Sequence, residues 1–267
     1  MAYGSAALLA AVVAVVGFSF LGADSGGRPA ATETEIVLQP AGAGGPDAFA
    51  PSVALGTRPT TLSAALLAAL PNRAPRGDQV GLLDGNRGKS SCNLASLSTL
   101  LAGNPALGQA WADAENISYN DVPTFLRGLT PALLRVDTRV TSYAYDGGPR
   151  PRHAVLQTGT AVLVDGLGLP RARCVGGNPL TPPVGSRLKA VYRGERWARF
   201  NPKDIVTVTP APQPVSKFVL IDVVTNKPFV RPADSDGSAD SDYSGPTSGP
   251  TSAAAPAPKP TTPTTRR

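Results

Sequence analysis

The chain has 267 residues, of which 16% are charged and 6% aromatic, and its formal net charge is +6. Glycine and proline occur 28 times each, which excludes a coiled coil and argues against a wholly helical protein, because both residues interrupt helices. The hydrophobic fraction of 42% still suffices for a folded core, and the length suits one or two domains.

An uncharged apolar run occupies residues 6–23. As a helix it would be about 27 Å long, close to the hydrocarbon thickness of a bilayer. We therefore predict that residues 1–23 form an uncleaved, single-pass membrane anchor, with a cleaved signal segment as the alternative. A buried core helix is a third interpretation, although such a helix would usually carry a polar stripe. Residues 24–34 are short, polar and glycine-containing, and we predict a linker there.

The folded domain is predicted to span residues 35–230, with a first strand at 35–39. Apolar residues then recur at helical spacing, and Asn104 followed by Pro105 is typical of a helix start. Pro131 should kink or split the last of these helices. The predicted helices cover residues 62–70, 93–103, 105–114 and 121–134.

From residue 135 onward the apolar period changes to two, which is typical of β-strands. Because helices come first and strands follow, we predict an α+β fold, in which a small N-terminal helical cluster packs on a mostly antiparallel β-sheet held by one disulfide. Residues 231–267 are rich in Pro, Ser, Thr, Ala and Asp, and we predict a disordered tail. The predicted strands cover residues 136–144, 153–157, 160–164, 170–174, 188–192, 205–208 and 218–224.

Cys92 and Cys174 are the two cysteines of the chain. An even count beyond an export segment favours a disulfide formed in an oxidising compartment, and two buried free thiols are the alternative. With His153 as the single histidine, the sequence offers no complete ligand set for a zinc site. We therefore predict no metal site and no cofactor.

Catalytic motifs are scarce. His153 follows two arginines at a strand start, which fits an exposed or locally bonded histidine better than a general base. The segment G-N-R-G-K-S at 85–90 resembles a phosphate-binding loop, but Leu83 stands where the first glycine is required, so we predict a plain turn. Turn capping and ion pairs explain the strand-end aspartates more simply than a hydrolytic carboxylate pair does. These aspartates are Asp137, Asp165 and Asp222.

A basic segment at residues 187–203 interleaves arginine and lysine with Tyr192, Trp197 and Phe200. Bases among aromatics are typical of nucleic-acid contacts, but the predicted position outside the cytoplasm favours an anionic cell-wall polymer or lipid headgroups instead. We therefore expect no nucleic acid. A solvated face with its aromatics turned inward is the simpler interpretation. The candidate anion contacts are Arg187, Lys189, Arg193, Arg196 and Arg199.

Four stretches of the chain resemble an uncharacterised domain of unknown function in actinobacterial proteins, often found behind a membrane segment or signal sequence. The resemblance covers roughly residues 35–230, and its most specific part is the element P-R-x-R-C…G-N-P-L within 170–180. It implies that Cys92 pairs with Cys174 and that the domain is exported, and it carries no activity. The stretches are residues 125–141, 154–165, 170–180 and 218–226.

These observations predict a membrane-anchored, extracytoplasmic and non-enzymatic domain that binds or supports the cell envelope. If residues 1–23 are cleaved, the domain is secreted. An envelope hydrolase that uses strand-end carboxylates is the alternative. A deep pocket lined by two close carboxylates of raised pKa would favour the hydrolase, whereas a convex basic surface would favour binding.

Overall fold

The computed structural model describes residues 33–46, 48–55, 68, 73–185 and 189–245. The chain divides into two units, Met1–Thr32 and Glu33–Arg267. The predicted anchor at 1–23, nearly all of the predicted helix at 62–70 and the end of the tail lie outside the described residues. Within the described ranges, no helix combines the length and the apolar character that crossing a bilayer requires.

The described residues form one mixed sheet of twelve strands, which run in the order β12-β11-β10-β2-β3-β6-β7-β8-β4-β5-β1-β9 across the sheet. In chain order the strands are β1 (Thr34–Gln39), β2 (Leu83–Gly85), β3 (Thr130–Leu134), β4 (Thr138–Tyr145), β5 (Pro149–Leu156), β6 (Ala161–Val164), β7 (Pro170–Arg173), β8 (Asn178–Thr181), β9 (Ala190–Arg193), β10 (Lys217–Asp222), β11 (Pro228–Pro232) and β12 (Ser241–Asp242). Strand β1 runs parallel to both of its neighbours, β5 and β9, and β2 runs parallel to β10. The other strand pairs are antiparallel.

The α+β prediction is wrong, because the described part of the chain is mostly sheet. Its three α-helices are short: α1 (Leu94–Gly103), α2 (Pro105–Glu115) and α3 (Val122–Arg127). A 3₁₀ helix at Tyr119–Asp121 precedes α3. The sheet is therefore the main body of the domain and not a platform for a helical cluster.

The largest single error is at residues 130–134, which lie in the predicted helix 121–134 and form strand β3. All five residues of β3 are buried, because the strand lies between β2 and β6 and both of its faces are covered. A strand buried on both faces is apolar at every position and loses the alternation that distinguishes strands from helices. The spacing of its leucines is therefore also compatible with a helix, which led to the wrong prediction.

The helix boundary at Asn104 was predicted correctly. The Asn104 side chain accepts a hydrogen bond from the backbone N–H of Leu107 at 3.2 Å, and Pro105 occupies the first turn of α2. The same asparagine ends α1. Helix α2 buries Trp111 completely, and this side chain belongs to the same hydrophobic cluster as the two cysteines.

Hydrophobic clusters lie on both faces of the sheet, as strand β6 shows. Val162 and Val164 belong to one cluster, whereas Ala161 and Leu163 belong to the cluster that contains the helices. All four side chains have no exposed surface. This double burial explains why so many of the strands read as continuous apolar runs.

The predicted boundary at residue 230 falls inside strand β11. Strand β12 pairs with β11 in antiparallel register, and Arg231 is fully buried. Its guanidinium forms an ion pair with Asp240 at 2.6 Å. The ordered sheet thus includes part of the segment that was predicted to be a disordered tail.

Candidate functional site

The P-R-x-R-C…G-N-P-L element surrounds a disulfide. Cys92 and Cys174 are bonded, with their Cα atoms 5.8 Å apart, which confirms the predicted bridge. Both residues are at most 1% exposed. The bridge joins Cys92, two residues before α1, to Cys174, the residue after β7. Its burial in the helix-side cluster gives it a structural role.

Arg173, next to the disulfide, is a buried cation that binds main-chain carbonyls. Its guanidinium donates hydrogen bonds to the carbonyl oxygens of Pro40, Ala43 and Gly44. Burial lowers the pKa of Arg173 to about 10. This arginine fastens the chain segment that follows β1 onto β7, so it is a structural clamp.

Two glycines of the element allow a second segment to pack against it. The backbone N–H groups of Phe49 and Ala50 each donate to the carbonyl oxygen of Gly176 at 2.8 Å. Gly177 has φ +59°, and a Cβ there would lie 2.6 Å from the Ala50 Cβ. Only glycine fits this close approach. The element at 170–180 therefore has a structural role in this fold.

Arg171, the other arginine of the element, bridges Glu115 at the end of α2 and Asp165 after β6. The Glu115 side chain is fully buried, and burial raises its pKa to about 7, with Arg171 acting in the opposite direction. Its second oxygen accepts the backbone N–H of Leu180 at 3.2 Å. Asp165 accepts the N–H groups that close the turn after β6. Each carboxylate therefore has its own structural donors.

The other two strand-end aspartates also cap loops. Asp137 accepts hydrogen bonds from the backbone N–H and the hydroxyl of Thr158, at 2.8 and 2.9 Å. Asp222 accepts the N–H groups of Arg87, Val224 and Thr225, and these bonds lower its pKa against the opposing effect of burial. The structure does not bring these aspartates together as a catalytic pair.

A small cavity that is partly open to solvent lies beside β4 and has an almost wholly apolar wall. No carboxylate lines it, and its one charged residue is Arg139. Arg139 donates to the carbonyl oxygens of Val184 and Gly185. The cavity therefore lacks the paired acids that the hydrolase alternative requires.

The glycine-containing segment at 85–90 forms a β-turn. Lys89 N–H donates to the Asn86 carbonyl oxygen at 3.1 Å, and Gly88 has φ +75°, which suits glycine at the third position of a type II turn. The predicted plain turn is what the structure shows. Its two central N–H groups, on Arg87 and Gly88, bind the carboxylates of Asp222 and Asp240 at 2.9 Å each.

The basic segment lies at the edge of the sheet that ends in β9. We call residues 189–204 the basic loop; Arg187 falls outside the described residues. Tyr192, Trp197 and Phe200 turn inward and pack over a hydrophobic cluster that includes Ile36 and Val155. The Phe200 ring lies 5.2 Å from the Tyr192 ring and 5.1 Å from the Trp197 ring, in edge-to-face contacts. The aromatics therefore form the floor of the basic loop.

Trp197 anchors the basic loop to the sheet through a buried carboxylate. Its indole Nε1–H donates to Asp137 Oδ2 at 2.9 Å. Asp137 is 2% exposed, and burial raises its pKa while the bonds from Thr158 and Trp197 act against that rise. Arg73 holds the far end of the loop by donating to the Lys203 carbonyl oxygen and to Asp204.

The cationic side chains of the basic loop point to solvent. Arg193 faces Glu35 at 3.5 Å, with both side chains more than half exposed. Arg196 lies over the Phe200 ring at 5.8 Å from its centroid. Among the described residues, Lys189, Arg196 and Arg199 have no carboxylate at ion-pair distance. The loop thus presents cationic charge on a packed aromatic floor. Its exposed bases are Lys189, Arg193, Arg196, Arg199 and Lys203.

Sequence reasoning did not identify the partners that hold these sites in place. Each of these partners lies far along the chain from the residue that it binds: Glu115 binds Arg171, Asp240 binds the Gly88 N–H, and Asp137 binds Trp197. The aspartates of the 234–242 segment were read as a solvated tail because their spacing carries no periodic signal.

The profile of a protein family described as a domain of unknown function, DUF6777, matches residues 73–234. No curated protein matches the chain. No solved structure matches it either.

Proposed function

The chain belongs to the DUF6777 family, a domain of unknown function, and we propose that it is a non-enzymatic binding module of the cell envelope. In this proposal the basic loop contacts an anionic cell-wall polymer. The observation that carries the proposal is the row of exposed cations on an anchored aromatic floor. Residues 1–23 would anchor the domain outside the cytoplasm of an actinobacterial cell. The 170–180 element would be a sequence signature shared by related domains.

The disulfide supports the proposed location of the domain outside the cytoplasm. Disulfides form and persist in oxidising environments and are rare in the cytosol. Cys92 and Cys174 are buried and bonded, as expected for a structural bridge in an exported domain. A wall polymer is therefore a more accessible partner for this domain than a cytosolic nucleic acid.

The architecture of the basic loop supports binding to a polymer over insertion into a membrane. Its large aromatic side chains face the sheet, so the exposed surface is charged and offers no aromatic wedge for lipid. Trp197 and Arg73 anchor the loop at two points. A loop held in this way loses little conformational entropy when it binds, and repeated anionic groups of a polymer can engage several cations at once.

The test measures binding of the folded, disulfide-bonded protein to a soluble poly(glycerol phosphate) at low and high salt. The variant carries Lys189→Gln, Arg196→Gln and Arg199→Gln, which keep the aromatic floor and leave the Arg193–Glu35 pair intact. Exposed ionic contacts contribute about 0.2–1 kcal/mol each. The loss of three such contacts should therefore weaken binding at low salt by about 3- to 160-fold, and added salt should abolish most of the difference.

A matched control removes three positive charges at exposed residues outside the basic loop. Arg127, Lys217 and Lys227 are exposed, and their glutamine variants should bind the polymer almost as well as the wild-type protein. Equal losses in both triple variants would show that only net charge matters and would refute the assigned surface. Binding to vesicles of anionic lipid, without binding to the polymer, would replace the polymer with lipid headgroups as the partner.

A further inference from the structure

The β-turn at 86–89 belongs to an anion-binding arrangement at the other end of the sheet, next to β11. Asp240 lies in this arrangement: its Oδ2 accepts the Gly88 N–H at 2.9 Å and an Arg231 N–H at 2.6 Å. Its Oδ1 accepts the Arg231 Nε–H at 2.9 Å. A carboxylate held in this bidentate way by arginine, with an additional backbone N–H, has the geometry of a bound ligand.

The receptor half is built without Asp240. Arg231 also donates to the carbonyl oxygens of Pro131, Asn86 and Lys89, at 2.7 to 3.0 Å. The Pro131 carbonyl binds Nη1, and the Asn86 and Lys89 carbonyls bind Nη2, which fixes the plane of the guanidinium so that its Nε–H points to the place where the carboxylate lies. The Phe229 ring packs against the Arg231 guanidinium, with its centroid 5.5 Å from the guanidinium carbon.

The ligand half comes from a lightly held segment, residues 234–245, that lies almost entirely beyond the end of the family match at residue 234. Most of this segment is exposed, and its only strand is the two-residue β12. Apart from Asp240, its side-chain contact with the turn is an exposed ion pair between Asp242 and Arg87 at 2.7 Å. Apart from the buried pair of Asp240 with Arg231, the segment has few buried contacts, so its opening costs mainly the loss of that pair.

We propose that Arg231, the Gly88 N–H and Arg87 form a binding site for the carboxylates of an acidic peptide, and that residues 234–245 fill it as an internal ligand. An aspartate of the partner peptide would take the place of Asp240, and a second acid would pair with Arg87. The turn itself is exposed, so a partner can approach once the internal segment opens. This site is separate from the basic loop and does not depend on its function.

The experiment measures fluorescence anisotropy of a labelled synthetic peptide with the sequence of residues 234–245, added to the full chain. In the wild-type protein the internal segment competes at an effective concentration in the millimolar range, so the peptide should bind weakly. Asp240→Asn removes the internal carboxylate and should strengthen peptide binding by about 10-fold or more. Asp236→Asn is the matched control, because Asp236 is exposed and accepts from Ser238 within its own turn.

A second variant opens the segment without removing any group of the receptor or changing its charge. Gly237 has φ +99°, and a Cβ there would lie 2.5 Å from an Arg231 nitrogen and 3.1 Å from the Lys89 backbone. Gly237→Ala should therefore displace the internal ligand and give the same gain in peptide binding. Circular dichroism checks that each variant is folded.

The peptide with Asp240→Asn should not bind any of these proteins. If this peptide binds as well as the unmodified one, the attraction is only that of a basic protein for an acidic peptide, and the site is refuted. If the folded variants bind the peptide no better than wild type, Asp240 is a structural strut. If neither variant folds, the segment is not displaceable, and the proposal fails in the same way.

Discussion

Removal of the Cys92–Cys174 disulfide should destabilise the domain by about 4.5 kcal/mol. The bridge closes a loop with a sequence separation of 82 residues. For a loop of that length, the chain-entropy model gives a stabilisation of about 4.5 kcal/mol at room temperature. Domains are typically stable by about 5–15 kcal/mol, so this one bond accounts for roughly a third or more of the total.

The structure places the bridge where its loss is hard to compensate. Both cysteines are buried in the cluster that contains Trp111, and the segment 53–55 is hydrogen-bonded beside each of them. The Cys92→Ala/Cys174→Ala variant loses the cross-link and also leaves a small void, which adds to the cost. Reduction of the wild-type protein removes the cross-link with the sulfur atoms retained, and therefore isolates the entropic contribution.

The assay is urea-induced unfolding followed by tryptophan fluorescence, with and without a reducing agent. The double-alanine variant is the control for the reductant, which should leave its unfolding midpoint unchanged. A loss below about 1 kcal/mol on reduction would contradict the chain-entropy argument for this loop. Peptide mass spectrometry of protein from its native envelope, without reduction, should find the two cysteines cross-linked; two free thiols would refute the proposed location.

Three further outcomes test the reasoning about buried groups and close contacts. Burial raises the pKa of Glu115 from 4.5 to about 7, so between these values the native state holds a proton that the unfolded chain has released. The free energy of unfolding should fall as pH rises through that window. In urea titrations Glu115→Gln should reduce this slope and leave the part due to Asp84, whose pKa burial also raises to about 7. Gly168→Ala should cost several kcal/mol more than Gly147→Ala in thermal unfolding, because both glycines have φ near +70° but only the Cβ at 168 would meet a backbone oxygen, at 2.2 Å. Equal losses of stability in the two variants would mean that the positive φ, and not the contact with the backbone oxygen, determines the cost of the substitution. Trp197→Phe leaves Asp137 without its indole donor and should cost about 1–3 kcal/mol in urea unfolding, whereas an unchanged midpoint would show that the loop anchor is dispensable.

Local signals predicted the parts of the fold that short stretches of sequence encode. Asn104 and Pro105 mark a helix boundary because capping and the proline ring act within one turn. The strand at β1 and the turn after β6 carry ordinary alternation and turn residues. The disulfide followed from the cysteine count, because two cysteines allow one intramolecular pairing.

Strand β3 and the site at Arg231 show where local reading fails. Strand β3 is covered on both faces, so its sequence lacks the alternation of polar and apolar residues that identifies a strand. Its leucines therefore fit a helix or a strand, and only the neighbouring strands β2 and β6 decide between the two. Asp240 lies in a run of exposed, polar residues that predicts only a solvated tail. Asp240 can act as an anchor only because other strands bury the Arg231 guanidinium that binds it.

The sequence by itself determined the disulfide, the inward aromatics of the basic segment and the helix caps, because these depend on composition or on neighbours within a few residues. Only the tertiary structure decided that the chain is one mixed sheet, that the 170–180 element is a structural clamp, and that a turn amide and a buried arginine hold an aspartate. Each of these depends on pairing between residues far apart in sequence, such as Arg173 with the segment 40–44 and Arg231 with the turn 86–89. The energy of such contacts comes from burial that no single segment can provide.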